Sequence, residues 1–272
     1  MPTSITAKYD LHCHALPDWD DGPNSLEDSL ALLERAQNAG TQTLVATPHV
    51  GRRWKNREDH TSSEIPEAVS ALNEAAQQKG LTIKVIPGAE LLMGAIDIGG
   101  TDEVKTSWTY GGKKKWALIE SPNMSWPNFA NHIVYELARR GVRSVLAHPE
   151  RYIDVQKDPA ILQSALSNGA IIQVTAGVVS GQMNDKNMSR CVQNLFKLGM
   201  VHLVASDAHV ASHTMPGEVV DEVIARVGEA RARQIFEDNP RAVLEGTGIG
   251  PQHDVAPTIP AKGGLWSRLR GK

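Results

Sequence analysis

Short apolar runs alternate with amphipathic stretches along most of this chain. We expect seven of these runs to form strands, and they read AKYDLH, TLVATPH, LTIKVIPGAE, KKWALIES, RSVLAHPE, AIIQVTAG and VHLVASDAH. Amphipathic stretches such as SLEDSLALLERAQNAG and PNFANHIVYELARRG lie between them. The first stretch offers Ser25 as a helix N-cap and ends at Gly40, and the second ends at Gly141. Strands that alternate with helices of this length predict a parallel sheet built from βα units.

The residues at the ends of the predicted strands distinguish between two α/β architectures. Nearly every strand ends in a histidine or a carboxylate, and only a barrel brings all of these ends together on one face. A closed or nearly closed barrel is therefore favoured over an open doubly wound sheet. The length of 272 residues fits a single domain of this kind.

Two segments depart from this pattern. Residues 94–115 form a long polar insertion before the fourth predicted strand. From about Gly246 the chain is rich in proline and glycine, and it ends in LWSRLRGK. We therefore predict a barrel domain over residues 1–250 and a flexible basic tail over residues 251–272.

Composition narrows the functional class. The net charge is -3 and no long basic run occurs, so nothing indicates a nucleic-acid partner. No apolar run approaches the roughly 18 residues of a membrane span, and the N-terminus lacks the apolar stretch of a signal peptide. We expect a cytoplasmic protein. A cysteine-based phosphatase with a Cys-x5-Arg loop is excluded, because Trp19 and Lys197 stand six positions after Cys13 and Cys191.

Eight ligand-type residues at the predicted strand ends indicate a metal cluster. They are His12, His14, His49, Glu90, Glu120, His148, Asp207 and His209. Strand alternation points the imidazoles of His12 and His14 one way and the thiol of Cys13 the other. A single histidine at a strand end is usually structural, but eight such residues at consistent positions are not. Imidazoles mixed with carboxylates suit manganese, iron and zinc.

The remaining histidines occupy other kinds of position, and we interpret them as structural. They are His60, His132, His202, His213 and His253. The acidic turn PDWDDGP follows the first predicted strand and is typical of an ordinary Asp-Gly turn. Because this turn lies beside His12 and His14, one of Asp18, Asp20 and Asp21 is also a candidate for a further ligand.

Taken together, DLHCH…DDGP, ATPH, PGAE, IES, AHPERY and ASDAH resemble the motifs of the PHP phosphoesterases. They are most similar to those of the bacterial manganese-dependent protein tyrosine phosphatases of capsule and exopolysaccharide operons. The resemblance runs from about Tyr9 to Asn239. It implies a single-domain, TIM-like fold, a distorted (β/α)7 barrel. It also implies up to three bound divalent ions, with manganese as the favoured metal and iron or zinc as alternatives. The insertion and the tail match poorly and receive no role.

The resemblance also implies individual roles. It assigns the first ion to His12, His14, Glu90 and Asp207, the second to Glu90, Glu120 and His148, and the third to Asp21, His49 and His209. Glu90 would bridge two ions, and Asp21 becomes the favoured residue of the acidic turn. Arg151 matches the phosphate-binding arginine of the family. We expect the catalytic residues to be Arg151, Glu90 and Asp207.

These features predict hydrolysis of phosphotyrosine by a hydroxide that bridges two metal ions. The tyrosine phenolate has a pKa of roughly 10 and leaves easily, so no strong general acid is needed. A metal-bound water or Asp20 is a candidate for that role. The predicted partner is a phosphotyrosine protein, namely a bacterial tyrosine kinase of capsule or exopolysaccharide synthesis. Stable membrane insertion is not expected, and the oligomeric state is left open.

A basic loop follows His49 and is a candidate substrate-docking surface. Its residues Arg52 and Arg53 stand next to Trp54, and positive charge beside an aromatic ring suits an acidic phosphorylated polypeptide. The composition is also typical of an ordinary solvated loop. The position directly after a candidate metal ligand favours docking.

Three other functions remain open at this point. A small-molecule phosphatase, for instance one that acts on histidinol phosphate, would use the same barrel and cluster with different loops. A PHP module without metal would serve structure or partner binding, but the ligand set here is intact. A metal-dependent amidohydrolase would more often use a lysine at a strand end, and none of these strands offers one.

Overall fold

The computed structural model describes residues 5–51, 61–95 and 104–250, and it has parallel strands separated by helices. In chain order the elements are β1 (Tyr9–Cys13), α1 (Leu26–Asn38), β2 (Thr43–Ala46), β3 (His49–Val50), α2 (Ile65–Gln78), β4 (Lys84–Pro87), β5 (Glu90–Leu92), β6 (Trp116–Glu120), α3 (Ala130–Arg139), β7 (Arg143–Ala147), α4 (Ile153–Lys157), α5 (Gln163–Ser167), β8 (Ile171–Thr175), α6 (Ala176–Val179), α7 (Lys186–Lys197), β9 (Val201–Ala205), α8 (Val220–Val227), α9 (Glu229–Arg233) and α10 (Asn239–Glu245).

Local sequence signals fix the ends of the first long helix. The side chain of Ser25 accepts a hydrogen bond from the backbone amide of Asp28, as expected of an N-cap. At the other end Gly40 has φ +98°, a left-handed conformation that glycine adopts without steric cost. The buried side of α1 carries Leu32 and Leu33, so the amphipathic pattern places this helix on the core.

Each of the seven predicted runs forms a strand, and two of the runs are interrupted. The run TLVATPH splits into β2 and β3, because Pro48 has no amide hydrogen with which to continue a ladder. The run LTIKVIPGAE splits into β4 and β5 at Gly88. A Cβ at Gly88 would lie 2.7 Å from Val45 Cγ1, so this close approach requires glycine.

The strands surround a common axis and form the predicted distorted barrel. One sheet has the order β1-β2-β4, the other has the order β3-β5-β6-β7-β8-β9, and every pair is parallel. The interrupted runs connect the two sheets. The last strand returns to the first, since Asp207 N donates to His12 O at 2.8 Å and His14 N donates to Ala208 O at 2.9 Å. In the part of the chain described here, the ladders do not form one unbroken ring.

Strand alternation produces two apolar cores. On β6 the side chains of Ala117 and Ile119 join the larger core, which includes the buried faces of the helices. Trp116 and Leu118 join a smaller core with side chains of other strands, and Glu120 continues the same face at the end of the strand. The smaller core therefore fills the barrel beneath the polar residues at the carboxyl end.

Part of the predicted polar insertion closes the opposite end of the barrel. Tyr110 follows the described start of this segment at residue 104, is 2% exposed and belongs to the smaller core. Trp116 Nε1 donates a hydrogen bond to Thr247 O at 2.8 Å, and Ile249 packs against the same core. The chain beyond Gly246 thus begins as a packed segment. The predicted tail over 251–272 lies outside the described residues, and its flexibility stays a prediction.

No helix in the described ranges has both the length and the apolar character needed to cross a bilayer.

Candidate metal centre

All nine predicted metal ligands lie together at the carboxyl end of the barrel. Their ligand atoms form four overlapping groups, each within 4.8 Å: His14–Asp21–His49–His209, His12–Glu90–His148, His12–His14–Asp207 and His49–Glu90–Glu120. Most of these side chains lie at or shortly after the carboxyl ends of β1, β6, β7 and β9, while His49 and Glu90 begin the short strands β3 and β5, which continue the runs of β2 and β4.

Glu90 is the centre of this arrangement. Its Oε2 atom lies 3.4 Å from His12 Nε2, 3.4 Å from His14 Nε2 and 3.1 Å from His49 Nδ1. Its Oε1 atom lies 2.8 Å from His148 Nε2. Two oxygens of one carboxylate thus face two different sets of imidazoles, which is the arrangement that a bridging ligand needs.

The other carboxylates complete the groups around Glu90. Asp207 Oδ1 lies 3.2 Å from His12 Nε2, and Glu120 Oε1 lies 3.1 Å from His49 Nδ1. Asp21 Oδ1 is 3.2 Å from His209 Nε2. Of the acidic turn's residues, Asp21 is the one that forms a ligand group here.

Hydrogen bonds fix which nitrogen faces the centre in three of the five rings. His12 Nδ1 lies 2.9 Å from Gln173 Oε1, and His14 Nδ1 lies 2.7 Å from Asp20 Oδ2. Since these oxygens accept, both Nδ1 atoms carry the hydrogen and both Nε2 atoms present a lone pair to the centre. His209 follows the same rule, because its Nδ1 donates to the backbone oxygen of Asp207 at 2.9 Å.

The backbone is strained at two of these positions. His148 has φ +33° and Asp207 has φ +52°, and residues other than glycine rarely adopt such values. His148 directly follows β7, and Asp207 follows β9 after one intervening residue, Ser206, so both lie where the chain turns at the carboxyl end of a strand. Strain of this kind persists where the surroundings enforce it and is concentrated at functional sites.

Mutual electrostatics shift the protonation of the cluster strongly. Burial by itself raises the pKa of Glu90, but the imidazoles of His12, His49 and His148 hold that pKa well below its usual range. Burial by itself lowers the pKa of His49, but the carboxylates of Glu90 and Glu120 raise it to about 9. The buried carboxylates are therefore stabilised as anions only when positive charge, from protonated imidazoles or from a bound cation, lies between them.

A divalent ion accounts for the unpaired atoms and the ligand separations of the cluster better than protons do. The buried Glu90 Oε2 and His148 Nδ1 have no hydrogen-bond partner among the described residues. Buried polar atoms without partners are costly and indicate a missing ion or water. Two ligands held at about 2.1 Å from one ion, at a right angle, lie about 3 Å apart, close to the separations found around Glu90. The residues present thus fit a metal cluster of imidazole and carboxylate ligands.

Arg151 lies at the edge of the cluster, where Nη2 donates a hydrogen bond to Asp207 Oδ2. A cleft of about 390 Å³ opens on one side of Arg151, and its lining includes His49, Met124 and Tyr152. A smaller cleft of about 210 Å³ opens on the other side. The guanidinium can therefore contact a group that enters beside the cluster.

Sequence reasoning did not assign a ligand-supporting role to three residues that have one in the structure. Gln173 orients His12 from a strand 161 positions away, and no local sequence signal indicates this pairing. Asp20 was considered as a general acid, but its Oδ2 binds His14 Nδ1 and also accepts from the His49 amide at 2.9 Å. It therefore positions ligands. His213 was interpreted as structural, yet its Nδ1 accepts from the His209 amide and its ring lines the smaller cleft.

Two further sequence interpretations can be located. Cys13 is fully buried in the larger core, with Sγ directed at Ala208 O, so it points away from the imidazoles as strand alternation predicts. Arg52 and Arg53 lie outside the described residues, and the docking role of their loop stays a prediction.

Comparison with known proteins assigns the chain to a protein family. A family model described as capsular polysaccharide synthesis, CpsB/CapC, matches residues 8–245. The chain belongs to the CpsB/CapC family. The match covers all of the candidate metal centre and most of the described barrel.

Two relatives in the CpsB/CapC group carry names that state an activity. The tyrosine-protein phosphatase YwqE of Bacillus subtilis is 32% identical over 74% of this chain and 76% of its own length. The tyrosine-protein phosphatase CpsB of Streptococcus pneumoniae is 27% identical over 86% of this chain and 97% of its own length.

Solved structures agree with the CpsB/CapC assignment. A crystal structure from work on YwqE of B. subtilis and CpsB of S. pneumoniae, described there as metal-dependent tyrosine phosphatases, matches with a TM-score of 0.79 and 26% identity. The match covers 90% of this chain and 98% of that one. A phosphotriesterase from Mycobacterium tuberculosis, 12% identical with a TM-score of 0.51 over 90% of this chain and 96% of its own, shares only the fold.

Proposed function

We propose that this protein is a metal-dependent protein-tyrosine phosphatase of capsular or exopolysaccharide synthesis, with a tyrosine-phosphorylated bacterial kinase as its substrate. The observation that carries the proposal is the convergence of five imidazoles and four carboxylates at one end of the barrel, with Arg151 beside them. The activity named for the relatives in B. subtilis and S. pneumoniae supports the substrate class.

Divalent ions bound by this ligand set supply Lewis-acid charge to a phosphate and lower the pKa of water towards neutrality. We assign the ligands to His12, His14, Asp21, His49, Glu90, Glu120, His148, Asp207 and His209. Their mixture of nitrogen and carboxylate oxygen suits manganese first, with iron and zinc as alternatives. Glu90 would bridge two ions, because its two oxygens face different imidazoles.

The chain itself performs three tasks in the reaction. Asp20 and Gln173 hold His14 and His12 in the tautomers that present Nε2 to the centre, so the ligands need no rearrangement. Arg151 binds two oxygens of the phosphate and stabilises the charge that develops on them, for which the planar guanidinium is suited. Asp207 keeps Arg151 in place before substrate arrives.

Little proton donation to the leaving group is required. A tyrosine phenolate, with a pKa of roughly 10, is a far better leaving group than an alkoxide. Neither cysteine can act as a nucleophile, since Cys13 and Cys191 are buried in the apolar core and burial raises the pKa of both thiols. Hydrolysis therefore proceeds without a cysteinyl-phosphate intermediate.

Metal content and substrate preference test the proposal together. Purified protein should contain more than one equivalent of manganese, iron or zinc by elemental analysis, and it should hydrolyse a phosphotyrosine peptide. A chelator should abolish that activity, and added manganese should restore it. Full activity after complete metal removal, or a higher kcat/KM for histidinol phosphate than for the peptide, would refute the assignment.

A further inference from the structure

The larger cleft beside Arg151 has two unlike walls. Its inner wall includes Asp21, His49, Glu120 and His148 of the candidate metal centre. Its outer wall consists of residues 121–124, and no charged side chain occurs between residues 121 and 130. A molecule whose phosphate lies at the metal centre and whose organic part occupies this cleft therefore meets an uncharged outer wall.

Apolar side chains extend this outer wall to the protein surface. Met124 is 58% exposed and Ile153 is 49% exposed, and the two are adjacent because Ile153 N donates to Met124 O at 2.8 Å. We call these two side chains the apolar rim. A pair of large apolar side chains left exposed at the mouth of a catalytic cleft indicates a contact surface.

Hydrogen bonds and buried rings make the apolar rim rigid. Tyr152 Oη accepts from the Ser121 amide at 2.9 Å and donates to the backbone oxygen of Ala147 at 3.0 Å. The Trp126 amide donates to Asp154 Oδ2 at 3.3 Å, and the buried rings of Trp126 and Tyr152 lie 6.3 Å apart. The rim is therefore preorganised, so a ligand that covers it does not have to order it first.

We propose that Met124 is the platform for the aromatic ring of phosphotyrosine and that Ile153 contacts an apolar side chain next to it in the substrate polypeptide. The proposal rests on the phosphatase function proposed above and specifies its substrate as an aryl phosphate in an apolar segment. Met124 lines the cleft itself, and a thioether packs favourably against an aromatic ring. Ile153 does not line the cleft and lies exposed beside Met124, where the substrate polypeptide would continue.

The uncharged wall also argues against a small cationic substrate. Histidinol phosphate carries an ammonium group that a specific site would bind with a carboxylate on the outer wall. The carboxylate beside this wall is Asp154, and its Oδ2 accepts from the Trp126 amide. The outer wall thus matches an aromatic ring better than a charged chain.

Two glutamine substitutions of similar length test the apolar rim in the metal-loaded enzyme. Met124→Gln should raise KM about tenfold for both phenyl phosphate and a phosphotyrosine peptide with leucine on either side, at unchanged kcat. Ile153→Gln should raise KM several-fold for the peptide and leave phenyl phosphate unaffected. The inhibition constant for inorganic phosphate should not change in either variant, because phosphate alone contacts only the metals and Arg151.

Tyr135→Gln provides the matched control, since Tyr135 is 50% exposed on α3 and does not line the cleft. It should change none of the three constants. Unchanged KM values in Met124→Gln and Ile153→Gln would overturn the proposal, and so would a parallel loss of phosphate inhibition, which would mean that the rim shapes the metal site. A wild-type enzyme inactive on both aryl substrates would instead refute the proposed function.

Discussion

The two ends of the barrel share the same strands but use opposite chemistry. On β6, Trp116 at the start and Glu120 at the end lie on the same face and are both buried. At the amino end Trp116 packs with Tyr110 in an apolar plug. At the carboxyl end Glu120 faces His49 among ligand-type side chains. One end therefore provides stability and the other chemistry, a separation typical of barrels of this kind.

Histidines at the two ends show the same contrast in their protonation. Near the carboxyl end, nearby carboxylates raise the pKa of His49 to about 9. His202 lies near the start of β9, where burial and the positive charge of Arg231 lower its pKa to about 3. The same residue type thus has opposite preferences for charge, because His49 lies beside Glu90 and Glu120 whereas His202 is buried beside Arg231.

The largest expected effect comes from Glu90→Gln at the catalytic end. Glutamine preserves the shape but removes the charge that bridges the ligand groups, so turnover of an aryl phosphate should fall by about 10³-fold or more. Elemental analysis should show a loss of bound metal. His209 belongs to one of the ligand groups, whereas Glu90 belongs to two, so His209→Ala should lose less of both. Near-wild-type turnover in Glu90→Gln would show that the bridge is misassigned.

The second prediction concerns Trp116→Ala at the plugged end. This ring is 1% exposed, and its removal should lower the free energy of unfolding by about 3–5 kcal/mol. Urea unfolding measures this loss. Trp116→Phe keeps most of the ring volume and should lose less. Activity per folded molecule should stay unchanged in both variants, and a large fall in kcat in the folded fraction would break the separation of the two ends.

Arg151→Ala should reduce catalysis at the phosphate without unfolding the barrel. Loss of the guanidinium should lower kcat about 100-fold on phosphotyrosine peptide and phenyl phosphate alike, because the phosphate is common to both. Arg151→Lys should recover only part of the rate, since an ammonium cannot bind two oxygens in a fixed plane. Steady-state kinetics on both substrates would check this, and a defect confined to the peptide would contradict it.

The smallest effect is the pH dependence carried by His202. The pKa of His202 is lowered to about 3 in the folded protein, whereas it is roughly 6.5 in the unfolded chain. The contribution of neutral His202 to the free energy of unfolding is therefore fully present above pH 6.5 and is lost as the pH falls towards 3. His202→Asn keeps an acceptor for the Ile172 amide but cannot bind the proton. Between pH 6.5 and 5 the variant should therefore lose less stability than the wild type, by at most about 2 kcal/mol.

Urea unfolding of both proteins at the two pH values measures this difference, and metal loss at the distant catalytic end affects both alike. Equal pH dependence in the two proteins would mean that His202 is not held neutral in the fold.

The repeating βα units and the candidate ligands follow from the amino-acid sequence alone. Alternation and capping residues such as Ser25 and Gly40 act locally, so the βα order could be predicted. The ligand-type residues follow strands directly, and closing any barrel gathers strand ends on one face. That is why the cluster, including Asp21 once the family resemblance was considered, could be assembled before the structure was known.

Closure of the barrel, by contrast, selects the residues that support the cluster and those that fill the opposite end. Gln173 meets His12 across 161 positions, and Tyr110, within a segment that looked like a polar insertion, packs inside the barrel. The rim formed by Met124 and Ile153 likewise depends on how two loops come together. Strand register and barrel closure bring such pairs together. Local periodicity predicts which face of a strand or helix a residue lies on, but it does not predict which distant residue that side chain contacts.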